Sequence, residues 1–142
     1  YVPAKMRNAI IKTDKLTIIN DAYNACEESI LAGIEVLELA SGRKAAILGD
    51  ILEVGDHGKR VHYSVGQNVA QKDVDLVICC GQQSKHTYDG LADSGKENIH
   101  YFENKDSMHE HLDSIIQQGD TVYVKASRGC AFEKTVEKLQ SL

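Results

Sequence analysis

Leu76-Val77-Ile78-Cys79-Cys80-Gly81 decides the architecture. Its apolar residues run on without the alternation of a strand that has one wet face, and a glycine closes the run. An uninterrupted apolar segment of this length reads as a strand covered on both sides. Such strands belong to parallel sheets, whose crossover connections lay helices over both faces. Cys79 and Cys80 should then point to opposite faces.

The neighbouring segments fit that frame. Upstream, residues 45–48 form a similar strand, and Val61, Val65 and Val69, spaced by four, mark a helix between the two. Downstream come a weaker helix over residues 84–92, a short strand at residues 99–102, and a helical stripe of Met108, Leu112, Ile115 and Ile116 ended by Gly119. Residues 121–124 give another strand, and Phe132, Val136 and Leu139 stripe a last helix. Toward the start, residues 27–40 carry Ile30, Ile34 and Leu37 at helical spacing with Gly42 as a stop, and Asn24 followed by Glu27 predicts a capping box. Two short apolar runs, 8–13 and 16–20, flank Asp14-Lys15 as a hairpin. The expected fold is therefore α/β: three layers, a mostly parallel sheet with helices on both faces, and an antiparallel N-terminal hairpin strand. Strand order is not contained in this pattern.

The chain has 142 residues, which suits one domain covering 1–142. Its 42% hydrophobic and 26% charged residues are ordinary for a globular protein. A formal net charge of -5 argues against a broad nucleic-acid footprint but leaves room for a local phosphate pocket. Four cysteines without a C-x-x-C pair suggest reduced thiols in a cytoplasmic protein. No apolar stretch approaches membrane-spanning length. The start, Tyr1-Val2-Pro3-Ala4-Lys5, has neither a signal-peptide form nor an initiator methionine, so a piece of a longer chain is expected.

In an open α/β sheet, ligands bind beyond the carboxyl ends of the strands. Those ends lead here into Asn20-Asp21-Ala22-Tyr23-Asn24, Gly49-Asp50-Ile51-Leu52-Glu53, Gly81-Gln82-Gln83-Ser84 and Lys125-Ala126-Ser127-Arg128-Gly129. Carboxylates, amides and two cations should collect on one edge. Each has a plainer role open to it: Asp21 and Asn24 as helix caps, Asp50 as a turn residue, Lys125 and Arg128 as solvated charges. Other chemistries lack a pattern. There is no G-x-G-x-x-G or Walker A sequence, and the six histidines form no H-E-x-x-H. His109 and His111 are two apart and do not share a helix face. Neither a metal site nor a catalytic nucleophile is expected in this chain.

Four segments together resemble one family. Ile18-Ile19-Asn20-Asp21-Ala22-Tyr23-Asn24-Ala25 is similar to the D-D-[ST]-Y-N-A-N-P signature of the Mur ligases that add D-alanyl-D-alanine. Leu48-Gly49-Asp50-Ile51-Leu52-Glu53-Val54-Gly55 resembles their L-G-D-M-x-E-L-G, with His62 and Gly66 placed as on the following helix. Val124-Lys125-Ala126-Ser127-Arg128-Gly129 resembles V-K-G-S-R-G, and Met6-Arg7 the opening of the third domain. The order and spacing hold across nearly the whole chain. Cys26-Glu27 replaces the family's N-P, Ala126 its glycine and Val54 its leucine.

The resemblance implies the C-terminal, Rossmann-like lid of a three-domain, ATP-dependent amide ligase of peptidoglycan synthesis. The substrates it implies are ATP, D-alanyl-D-alanine and UDP-N-acetylmuramoyl-tripeptide, the last bound through a first domain. A central domain carries the P-loop, the magnesium ligands and the catalytic lysine, so this chain alone should be inactive. By the same resemblance Arg7 approaches the ATP phosphates, Asp21 the ribose hydroxyls, and Tyr23 and Asn24 the nucleotide. Asp50, Glu53, His62, Lys125, Ser127 and Arg128 line the cleft toward the dipeptide. Two alternatives stand beside this reading: the lid of another Mur-type ligase with a different amine, and a non-enzymatic Rossmann-like nucleotide-binding module.

Overall fold

A computed structural model of the chain describes residues 9–21, 26–51, 57–125 and 132–142. The strands are β1 Ala9–Lys12, β2 Thr17–Asp21, β3 Lys44–Leu48, β4 Leu76–Cys80, β5 Ile99–Phe102 and β6 Thr121–Lys125. The helices are α1 Glu27–Glu38, α2 Gly58–Val69, α3 Ser84–Asp93, α4 Lys105–Ile115 and α5 Glu133–Gln140. The strands form one sheet in the order β1-β2-β6-β3-β4-β5. Only β1 runs antiparallel, paired with β2 through the hairpin. The mixed α/β sheet expected from the sequence is the one observed.

Burial explains the two-faced apolar strands. Every residue of β4 and β6 is buried. Ile18, Ile47, Ile78, Cys80 and Val122 join Met108 and Leu112 of α4 and Val136 and Leu139 of α5 in one core. Ile19, Ala46, Val77, Cys79 and Tyr123 join Ile34 of α1, Val65 of α2 and Leu91 of α3 in the other. Cys79 and Cys80 thus face opposite layers. Among the described residues, Cys26, Cys79 and Cys80 are free thiols, and no helix is long and apolar enough to cross a membrane.

The start of α1 corrects one expectation. The N-cap is Cys26, with extended backbone (φ -143°, ψ 167°), not Asn24. The Cys26 N–H donates to Ser29 Oγ at 3.0 Å, so Ser29 takes the third position of the box. Glu27 is therefore the first helical residue, and its carboxylate turns to α2. Ser64 Oγ donates to Glu27 Oε2 at 2.5 Å, and Asn68 Nδ2 to the same oxygen at 3.2 Å. Spacing alone favoured Asn24 because two oxygen side chains three apart imitate a capping box. On α2 the buried stripe is Gly58, His62, Val65, Gly66 and Val69, while Val61 is half-buried. A strict period of four drifts off a face that repeats every 3.6 residues.

α2 and α3 touch backbone to backbone. A Cβ at Gly66 would lie 3.0 Å from Gly90 Cα and 2.9 Å from Leu91 N, and would overlap the Thr87 carbonyl. Alanine in place of glycine adds about 1 kcal/mol of helix propensity, but a rigid backbone neighbour cannot move aside. Gly66→Ala is therefore expected to lower stability by about 2 kcal/mol net. Chemical denaturation of parent and variant chains measures it, and equal or higher stability in the variant contradicts the close approach.

Candidate functional site

β6 lies between β2 and β3, although it is made last. The helix after β6 packs on one face of the sheet, and those after β2 and β3 pack on the other. Connections that leave neighbouring strands on opposite faces open a crevice at their carboxyl ends. Asp21 and Lys125 are the terminal residues of β2 and β6 and are register partners, as are Lys125 and Leu48 of β3.

Asp21 and Lys125 form a buried ion pair, with Lys125 Nζ 2.9 Å from Asp21 Oδ2. The Tyr123 hydroxyl donates to the same oxygen at 2.7 Å. Tyr123 stands two residues before Lys125, so strand alternation puts both on the face toward α1. Asp21 and Lys125 are 5% and 3% exposed, and Tyr123 is fully covered. Burial first, then the Asp21 charge, pushes the Tyr123 phenol far above its usual range, so it stays protonated as a donor. Among the described residues no donor meets Asp21 Oδ1. The pair thus leaves one carboxylate oxygen as an acceptor at the crevice.

Asp50 stands just beyond β3 and supports α3. Its Oδ1 accepts the Ser84 N–H at 2.8 Å, and the Ser84 hydroxyl lies 2.8 Å from the same oxygen. A carboxylate at a helix start meets unpaired N–H groups and the positive end of the helix dipole. Gly81 makes room for it. Its φ of +126° is a conformation that side chains avoid, and a Cβ there would sit 2.6 Å from Asp50 Cγ. Beside Asp50, at the ends of β4 and β5, lies a crevice of about 290 Å³ that includes Gln82, Glu103, Asn104 and Lys105 in its walls.

His62 is fully buried on α2. The Ile51 N–H donates to its Nε2 at 2.9 Å, which leaves the proton on Nδ1, 2.6 Å from the Gly58 carbonyl oxygen. Both nitrogens are taken, and the ring anchors the segment after β3 to α2.

The structure therefore brings Asp21 and Lys125 into contact and sets Asp50 and His62 beyond the neighbouring strand. Arg7, Tyr23, Asn24, Glu53, Ser127 and Arg128 lie outside the described residues. Sequence reasoning missed Tyr123, and it placed Ser84 at the sheet edge without assigning it a role. The alternation of residues 121–125 was a signal for Tyr123, but it pointed at Asp21 only once β6 was known to lie beside β2. No group of three or more His, Cys, Asp or Glu that could hold a metal ion occurs among the described residues.

Comparison with known proteins agrees with this fold. The family model described as Mur ligase, glutamate ligase domain, matches residues 6–128. The UDP-N-acetylmuramoyl-tripeptide--D-alanyl-D-alanine ligase of Bacillus subtilis (strain 168) is 37% identical over 139 residues, covering 94% of this chain and 30% of that protein. The Escherichia coli (strain K12) ligase of the same name is 31% identical over 125 residues, covering 87% of this chain and 26% of the relative. A crystal structure of MurF from Acinetobacter baumannii superposes with a TM-score of 0.89 at 26% identity, covering 96% of this chain and 30% of that one. The chain thus spans under a third of the length of these relatives.

Burial holds the His62 pKa below its usual 6.5, against the pull of the Gly58 carbonyl and Asp50. The unfolded chain then binds the proton more readily than the folded one. The stability that His62 contributes is complete above about pH 6.5 and is lost as pH falls toward the folded value. His100 and His109, lowered chiefly by partial burial, add to the same trend. Between about pH 7.5 and about pH 5.5 the parent should lose more stability than a His62→Gln chain, measured by urea titration at each pH. Identical pH slopes remove His62 as the source.

Proposed function

Because the chain belongs to the Mur ligase family through its glutamate ligase domain, we propose that it is the C-terminal lid of an ATP-dependent ligase of peptidoglycan synthesis. The reaction is the addition of D-alanyl-D-alanine to UDP-N-acetylmuramoyl-tripeptide. In this reading residues 1–142 are the third domain of the enzyme, working in the cytoplasm. The observation that carries it is the Asp21–Lys125 pair at the switch point, inside two segments that match the family's motifs.

The residues suit that task. Asp21 Oδ1 is an acceptor for a ribose hydroxyl, as carboxylates are in other nucleotide-binding α/β folds. Arg7 supplies a planar guanidinium for phosphate oxygens, with Tyr23 and Asn24 near the nucleotide. Asp50, Glu53, His62, Lys125, Ser127 and Arg128 belong to the dipeptide side. For His62 this is an indirect role, holding the segment that carries Asp50. The substrate carboxylate is activated as an acyl phosphate, and the dipeptide amine attacks it. Closure of this domain brings amine and acyl phosphate together and excludes water. In this reading the magnesium ligands belong to the central domain.

Three measurements test the proposal. This chain, given ATP, magnesium, UDP-linked tripeptide and D-alanyl-D-alanine, should release no phosphate above blank, because it has no P-loop. The full-length protein should release phosphate with D-alanyl-D-alanine and not with single amino acids. Preference for another amine contradicts the assigned substrate. In that protein Arg7→Lys keeps the charge but loses the fork, and should lower kcat by about tenfold or more while raising the KM for ATP less. Parental turnover removes Arg7 from the closed state.

A further inference from the structure

Tyr123 belongs to none of the family-like motifs, yet among the described residues it is the largest fully buried side chain, and its hydroxyl ends on the crevice carboxylate. Its slot is cut into a helix. A Cβ at Gly33 of α1 would overlap the Tyr123 Oη, Cζ and Cε1 atoms, so the ring fits because residue 33 has no side chain. Gly33 is a buried position inside a helix, where glycine costs stability relative to alanine. That cost opens the path by which the phenol passes between α1 and the sheet to reach Asp21.

The chemistry of the contact is directional. Asp21 Oδ2 receives Lys125 Nζ at 2.9 Å and Tyr123 Oη at 2.7 Å. An ammonium on a four-carbon stem neutralises a carboxylate but leaves it free to turn. A phenol on a rigid ring, locked between helix and strand, fixes the direction from which one oxygen is held. With Oδ2 occupied from both sides, Oδ1 is the oxygen offered to a ligand. The phenol is neutral, so it orients Asp21 without altering the charge balance of the pair.

We propose that Tyr123 is a positioning residue for the nucleotide, holding Asp21 Oδ2 so that Oδ1 is aimed at the ribose hydroxyls, and that Gly33 is the accommodation for it. This rests on the reading of Asp21 as the ribose acceptor. A ring that only filled the core would leave nucleotide recognition untouched when its hydroxyl is removed.

The experiment compares ATP with 2′-deoxy-ATP and 3′-deoxy-ATP in the full-length ligase and in its Tyr123→Phe, Gly33→Ala and Asp21→Asn variants. Tyr123→Phe keeps the ring and deletes the donor. Gly33→Ala keeps the donor and crowds the ring away from Asp21. Both should raise the KM for ATP, Tyr123→Phe on the order of fivefold, with kcat within about twofold of the parent. Both should also shrink the preference for ATP over the deoxy analogue that lacks the bound hydroxyl. That preference is a ratio within one preparation, so partial misfolding of a variant leaves it unchanged. If Asp21→Asn loses the preference while Tyr123→Phe retains the parental KM and preference, Tyr123 is core packing and the inference fails while the ribose reading stands. If Asp21→Asn itself keeps the parental preference, the ribose reading falls and the inference with it.

Discussion

β6 is flanked on one edge by β2, made about a hundred residues earlier, and on the other by β3, and all five of its residues are buried. Its pairing with β2 joins Thr17 to Thr121 and Asp21 to Lys125. Closing a loop of that length costs about 4 kcal/mol in chain entropy. Val122, Tyr123 and Val124, each with no exposed surface, offset that cost by burying apolar area on both faces. The same insertion creates the switch point and sets a lysine beside an aspartate. Removing one partner of such a buried pair costs about 3–5 kcal/mol, whereas an apolar pair of equal volume would hold the strands as well or better. Stability alone therefore gives a weak reason for charges at this place, and an acceptor held ready at the crevice gives a stronger one.

α2 is the common support of the surrounding cleft. His62 holds the backbone after β3, and Ser64 and Asn68 hold Glu27 at the start of α1. Gly66 brings α3 against the helix, and α3 in turn presents Ser84 to Asp50. Tyr63 adds an edge contact from α2 to Asp93, with its hydroxyl 2.6 Å from Oδ2. Glu27 thus joins the start of α1 to the helix that braces the segment after β3.

Much of this was legible in the sequence for physical reasons. Leu76–Cys80 is apolar on both faces because both faces are covered, and the stripe Ile30, Ile34, Leu37 repeats because one side of α1 meets the sheet. Asp21, Asp50 and Lys125 stood out because polar residues directly after buried strands must lie at the sheet edge. Strand order was not legible, since hydrophobic pattern records burial and not neighbours. Tyr123 was missed for that reason: in sequence it is one more apolar residue of a buried strand, and only adjacency to β2 turns its hydroxyl into a partner of Asp21. The cap at Cys26 was missed because the box runs through a backbone N–H and a serine that a motif search does not rank above Asn24 and Glu27.

The late position of β6 also bears on how the chain is made. At roughly 5–20 residues per second, about 5–20 s separate the synthesis of β2 from that of β6. Until then the β1–β2 hairpin and the β3–β4–β5 group have no strand joining them, because β2 and β3 meet only through β6. Each group meanwhile carries an open edge of apolar strand, Ile18 and Ile19 on one side and Ala45, Ala46 and Ile47 on the other. Open edges of this kind invite pairing with other nascent chains. The residues that complete the crevice are thus the ones that end the chain's exposure to aggregation, and a ribosome stalled before residue 121 would leave two half-sheets with nothing to join them.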